Sequence, residues 1–293
     1  MVWCRQHPIQ STERETMDPK PNDFHLPLQG EIKLDSLLSM VVAILMTLVS
    51  IAGLISPSTL YPADEQRYSF LSNDVINLAI GLPILLGSIW LTRRGTLVGL
   101  LLWPGALLYD IYNYIAYVSG LPFRFITIIY LAIVLLSAFI VYDLVRAMDR
   151  IAISEKLAGA VPEKLAGWIL VLFGVVFVFR AVGMLMDASS GEVALTGGEF
   201  GTLIADLVLS AVWIAGGIAL LRRRPLGYVS GLGLLFAGSM LFIGLIFLLI
   251  IGPFLSEEPF ILMDVVVVFV MGLVCFIPFG LYVRGVVVTS HPI

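Results

Sequence analysis

The chain has 293 residues, of which 59% are hydrophobic and 13% charged, with a formal net charge of −4 and a mean hydropathy of +1.00. Soluble domains sit nearer half apolar and a quarter charged, and here the surplus arrives as long uninterrupted stretches. A soluble enzyme, a nucleic-acid-binding protein and a disulfide-stapled domain are excluded, which leaves an integral membrane protein.

Residues 1–35 form a polar, Pro-rich tail, predicted to be disordered and cytoplasmic. Met17 opens "MDPKPNDF" and offers an alternative start. No cleavable signal peptide is expected, because the first apolar run lies behind this polar tail and would serve as an uncleaved anchor. A hydrocarbon layer of roughly 30 Å takes about 20 helical residues to cross. Eight runs meet that length, at 36–56, 71–92, 96–118, 122–145, 165–186, 201–221, 226–252 and 261–283. They are continuously apolar, without the alternation of barrel strands, so the predicted fold is an all-α integral membrane protein of eight helices.

Lys and Arg orient it. With the N-terminus inside, every basic residue falls in a cytoplasmic segment except Arg67 and Arg124 outside and Arg180 within a span. Both termini are then cytoplasmic and the cell membrane is the expected location. The outer loops are acidic (Asp64, Glu65, Asp187, Glu192, Glu199, Glu257, Glu258), either because the rule empties them of cations or because a vestibule attracts cations. The two cysteines, Cys4 and Cys275, are too far apart in kind of segment to imply a disulfide framework or a metal site, and no cofactor is implied.

The halves resemble one another. "NLAIGLPILLGSIWLTRRGTLVG" from Asn77 aligns with "DLVLSAVWIAGGIALLRRRPLGY" from Asp206, superposing Gly87 on Gly216 and Arg93–Arg94 on Arg222–Arg223. This predicts a four-plus-four duplication: repeat one over 36–145, a cytoplasmic linker over 146–164, repeat two over 165–284 and a cytoplasmic tail over 285–293. An even number of spans per unit makes the repeats parallel, related by a pseudo-twofold along the membrane normal. "GTLVG" and "GYVSG" place small residues at a spacing that lets helices approach, a packing feature.

Polar residues inside spans carry the functional signal, since each is costly unless partnered or wet. Asp74 and Asp264 start their helices and are expected to act as caps or dipole partners. Asp206 lies about 7 Å inside its span, with a side chain tilted towards the surface it can reach. Asp110 and Arg180 tilt away from the nearer surface, so each needs a partner or an aqueous cavity, and a pair across the repeats is one solution. In "LLYDIYNYIAY", Asp110, Asn113, Tyr114 and Tyr117 share one helix face flanked by Tyr109 and Tyr112, just beyond a Trp103-Pro104-Gly105 kink signal. An interfacial aromatic belt accounts for the tyrosines but not for Asp110.

The run "NDVINLAIGLPILLGSIWLTRRG" followed by "LLLWPGALLYDIYNY" resembles a loose group of uncharacterised bacterial and archaeal multi-span membrane proteins, a resemblance that brings no activity with it. No span holds Lys or His, and no phosphate-binding loop or hydrolase motif is present.

The leading expectation is a small transporter or channel-like protein binding a cation or small polar solute in an outward-facing cavity between the repeats. Its site would comprise Asp110, Asn113, Asn77, Tyr114, Tyr117, Arg180, Asp206 and Asp74, with no catalytic or metal-binding residue. The second is a non-catalytic sensor, assembly factor or subunit, partnered by lipid, another membrane protein or a further copy of itself. The third is an intramembrane enzyme acting on lipid, with Asp110 or Asp206 as acid or base.

Overall fold

The computed structural model describes residues 26–191, 194–255 and 259–290. The elements in order are α1 (Lys33–Ile55), the short α2 (Pro57–Leu60), α3 (Asp64–Ile76), a π-helical turn (Asn77–Gly81), α4 (Leu82–Arg93), α5 (Leu97–Gly120), α6 (Phe125–Ala147), α7 (Arg150–Leu157), α8 (Glu163–Ser190), α9 (Gly197–Leu221), α10 (Pro225–Leu255) and α11 (Leu262–Ser290). No strand forms among the described residues beyond a single bridge between Leu28 and Met148.

Seven of these helices are long and apolar enough to cross a membrane, counting α3, the π turn and α4 as one continuous helix, Asp64–Arg93. The protein is therefore an all-helical polytopic membrane protein. The remaining long helix, α5, has 24 residues. Asp110, Asn113 and its tyrosines dilute an apolar run that would otherwise match the others. It is also the hub of the bundle, packing on α4, α6, α9 and α10, and is buried on most of its faces.

Local chemistry sets the helix ends. Thr96 accepts from the Gly99 amide at the start of α5, and Thr196 with Glu199 closes a capping box at the start of α9. Asp149 accepts from the amides of Ile151 and Ala152 to begin α7. The α4–α5 turn runs Arg94 (φ −84°, ψ 5°) then Gly95 (φ 80°), and the α9–α10 turn runs Arg222 (φ −83°, ψ 6°) then Arg223 (φ 52°). Immediately after each turn a glycine lies against the preceding helix: a Cβ on Gly99 would lie 2.5 Å from the Thr92 amide nitrogen, and Gly227 abuts Leu220 in the same way.

At the centre α5 crosses α10 backbone to backbone, and a Cβ on Gly105 would sit 2.5 Å from the Gly233 Cα. The same small-residue logic brings α5 onto α9, where Gly120 faces Gly197 and Gly201 faces Ala116. The Trp103-Pro104-Gly105 signal thus serves this crossing, and α5 continues unbroken through Pro104.

One expectation needs correction, and two gain detail. The second span begins at Asp64 and not near 71, so Asp74 lies inside a helix and caps nothing. The tail is ordered at its C-terminal end: Gln29 donates to the Ala147 carbonyl at 2.7 Å and Asp149 to the Pro27 carbonyl at 2.8 Å. The expected linker also contains α7, with Ile153 and Leu157 fully buried. Residues 1–25, Met17 included, and the acidic Glu192, Glu257 and Glu258 lie outside the described residues.

Candidate functional site

The polar residues at depth sort into three groups around α5. In the first, Asp74, 1% exposed, accepts from the Tyr61 hydroxyl at 2.5 Å and the Tyr117 hydroxyl at 3.0 Å. Tyr61, Phe70, Tyr114, Tyr117 and Tyr130 pack around it ring on ring, with centroids 4.7 to 6.4 Å apart. A carboxylate can sit in such an aromatic nest only because two phenols point at it, and charge-assisted hydrogen bonds are the stronger kind. Gly53 on α1 makes the room, since any Cβ there would collide with the Asp74 carboxylate.

In the second group Asp206, fully buried, pairs with Arg180 and accepts from the Tyr112 hydroxyl at 2.9 Å. Arg180 does not reach Asp110, as the sequence had allowed. Nor does Asp206 reach a surface: α8 and α9 pack along their length, and their mutual rotation turns the guanidinium onto the carboxylate.

The third group follows the π-helical turn. A π turn inserts one residue into a helix and re-aims the side chains beside it, often at functional sites. Here it places Asn77 so that its Oδ1 accepts from Asn113 Nδ2 at 3.1 Å, while Asn77 Nδ2 finds no hydrogen-bond partner among the described residues. One turn deeper on α5, Asp110 is 1% exposed and its Oδ2 is likewise unpartnered. Buried polar atoms are nearly always satisfied, and these two are among ten side-chain atoms of the described residues that are not.

Beside these groups is a cavity of about 300 Å³ between the two halves of the chain. Tyr112 and Asn113 of α5 and Arg180 of α8 form its polar wall, with Asn73 of α3 and Thr202 of α9. Phe177 and the α10 side chains Met240, Leu241 and Leu245 form its apolar wall. Asn113 both lines the cavity and bonds the buried Asn77.

The structure thus brings together Asn77 with Asn113, Asp74 with Tyr117, and Arg180 with Asp206. It does not make one site of the eight expected residues. The face read from Asp110 to Tyr117 is divided, with Asn113 towards the cavity and Tyr114 and Tyr117 towards the aromatic nest. Asp264 stays exposed in the first turn of α11, where an acidic group suits the helix dipole.

Sequence reasoning missed Tyr61, which looks like an outer-loop residue in "STLYPAD". It also missed Glu163, which accepts from Tyr228 at 2.7 Å and the Gly159 amide at 2.8 Å and pairs with Arg223 at 2.8 Å. A tyrosine beside a proline in a short loop carries no local signal of a distant partner. No family model matches the chain, and neither a curated protein nor a solved structure matches it.

Proposed function

We propose that this chain is a small transporter or channel-like protein that takes a cation or small polar solute into the cavity between its halves. The observation that carries the reading is the cavity of about 300 Å³ walled by Asn113, Tyr112 and Arg180, backed by the unsatisfied Asn77 and Asp110. A cleft of this size with a few convergent polar groups suits a small ligand. Polar groups deep in a membrane bundle are the usual marks of a solute or ion path. Asn113 is the residue that meets the solute, and Asp110 is the charge that a co-bound cation or a proton neutralises. Arg180 is held by Asp206, which also accepts from Tyr112, and guards the wall.

The reading includes α5 as the eighth span, both termini on the cytoplasmic side and the cell membrane as location. It also includes the duplication, in a register corrected by one residue. The matched turns pair Arg94 with Arg222 and Gly95 with Arg223, and Gly99 and Gly227 play the same part after them. That is one residue from the alignment of Asn77 on Asp206, the offset that the inserted residue of the π turn accounts for. Gly105 and Gly233, equivalent in this register, touch each other, as residues on a twofold axis do.

The test is charge movement driven by an ion gradient in proteoliposomes, comparing wild type with Asp110→Asn and Asn113→Leu. Transport lost in both variants, with folding and cavity-remote stability intact, supports the site. Movement unchanged in Asp110→Asn would remove Asp110 from the path. No movement under any cation or proton gradient would demote transport altogether. In that case the alternative of a subunit of a larger membrane complex gains weight, favoured by α11, whose most apolar window is only 17% buried.

A further inference from the structure

A second concavity, of about 590 Å³, lies at the opposite end of the bundle, where α6 passes into α7 and α9 turns into α10. Arg150, Arg222 and Arg224 line it, with Asp149 and Gln29. Asp149 is committed to capping α7 through the amides of Ile151 and Ala152. Arg223, the middle residue of the triplet, has φ 52° and turns away to pair with Glu163 at 2.8 Å. That turn leaves its two neighbours at the concavity, and among the described residues no carboxylate pairs with Arg150, Arg222 or Arg224.

The floor of this basic concavity continues into an apolar crevice. Ala215 and Leu226 line both, and the crevice of about 200 Å³ runs on between α5–α6 and α9–α10 past Pro104, Val145 and Val212. Leu226 and Val212 are 43% and 37% exposed at its margin, so it opens sideways to the membrane. A cationic mouth above an apolar slot has the shape of one amphiphile: a phosphodiester held by guanidinium forks, and an acyl chain beneath.

We propose that this composite pocket binds a single anionic phospholipid, with the headgroup phosphate on Arg150, Arg222 and Arg224 and part of an acyl chain in the crevice behind Ala215. The lipid would seal α6 and α7 of the first half and the connection against α9 and α10 of the second.

The experiment is native mass spectrometry of the full chain in a non-ionic detergent with an equimolar mixture of dioleoyl phosphatidylglycerol and dioleoyl phosphatidylcholine. Wild type is expected to retain the anionic lipid at least about tenfold over the zwitterionic one, because the choline cation of the latter offsets its phosphate charge beside three arginines. The variant Arg150→Ala/Arg222→Ala/Arg224→Ala should retain the two lipids equally, and Ala215→Trp should shed both by filling the slot from an exposed position. The control Arg146→Ala/Arg284→Ala, with cations elsewhere, should keep the preference. Equal retention by wild type, or loss of preference in the control as large as in the triple variant, overturns a built site in favour of diffuse surface charge. Displacement of lipid by millimolar glycerol phosphate, with Ala215→Trp still binding that phosphate, overturns a lipid site in favour of a soluble phosphate ester. If the triple variant does not fold, wild type, the control and Ala215→Trp decide the matter.

Discussion

The Arg180–Asp206 pair predicts an asymmetry between its two single variants. Arg180 has a side chain 46% exposed on the cavity wall, whereas Asp206 has a side chain that is 0% exposed. Asp206→Asn therefore leaves a cation that water in the cavity can solvate, and the new amide still accepts from Tyr112. That change should cost about 1 kcal/mol or less, the scale of one lost, partly screened pair. Arg180→Met leaves a buried carboxylate with the single hydroxyl of Tyr112 as donor. Removing one partner of a buried pair costs about 3–5 kcal/mol, and the half-open position of Arg180 brings the expectation down to about 2–4 kcal/mol. The double variant Arg180→Met/Asp206→Leu strands nothing but the Tyr112 hydroxyl and should recover to within about 1–2 kcal/mol of wild type. Thermal denaturation in detergent, followed by tryptophan emission, would rank the three. At roughly 2–4 °C per kcal/mol, Arg180→Met should melt lowest by several degrees. Asp206→Asn as destabilised as Arg180→Met, or a double variant worse than either, would refute the claim that burial of the carboxylate sets the energetics.

Three further outcomes follow from the same geometry. Gly105→Ala forces a methyl to within 2.5 Å of the Gly233 backbone and should lose about 1–2 kcal/mol after allowing for the helix-forming gain of alanine. Gly87→Ala, where a Cβ meets nothing within 4 Å, should be neutral or stabilising, and matched melting of the two would deny the close crossing. Tyr61→Phe and Tyr117→Phe should each cost about 1–3 kcal/mol, and the double variant more than their sum because Asp74 then has neither donor; strict additivity in urea titrations would contradict the shared carboxylate. Glu163→Gln weakens the contacts to Arg223 and Tyr228 that tie α8 to α10, and faster amide exchange at the α9–α10 turn should report it, whereas unchanged exchange would show that the turn holds itself.

Much of the architecture was legible because bilayers impose it. Long apolar runs must become helices, since no other element satisfies its own backbone in lipid, so α1, α6, α8 and α9 fall close to the predicted spans. Periodicity also placed Asp110, Asn113, Tyr114 and Tyr117 on inward faces of α5, and all four are buried. The start of α3 at Asp64 was not legible, because "ADEQRYSF" is too polar to register as a span even though it is helical. The π turn was equally hidden, as nothing in "NLAIG" distinguishes an inserted residue from an ordinary turn.

By itself the sequence determined that this is a helical membrane protein with costly polar residues at depth, because hydropathy is a local property. The tertiary structure alone decided which of those polar residues meet. A helical period says which side chains share a face, but not which neighbour that face will touch. That choice depends on the rotation and approach of whole helices, set here by glycines at the α5–α10 crossing. Hence Arg180 finds Asp206 and not Asp110, Asp74 finds a tyrosine from a loop, and Asp110 is left with an unpaired oxygen outside the cavity lining.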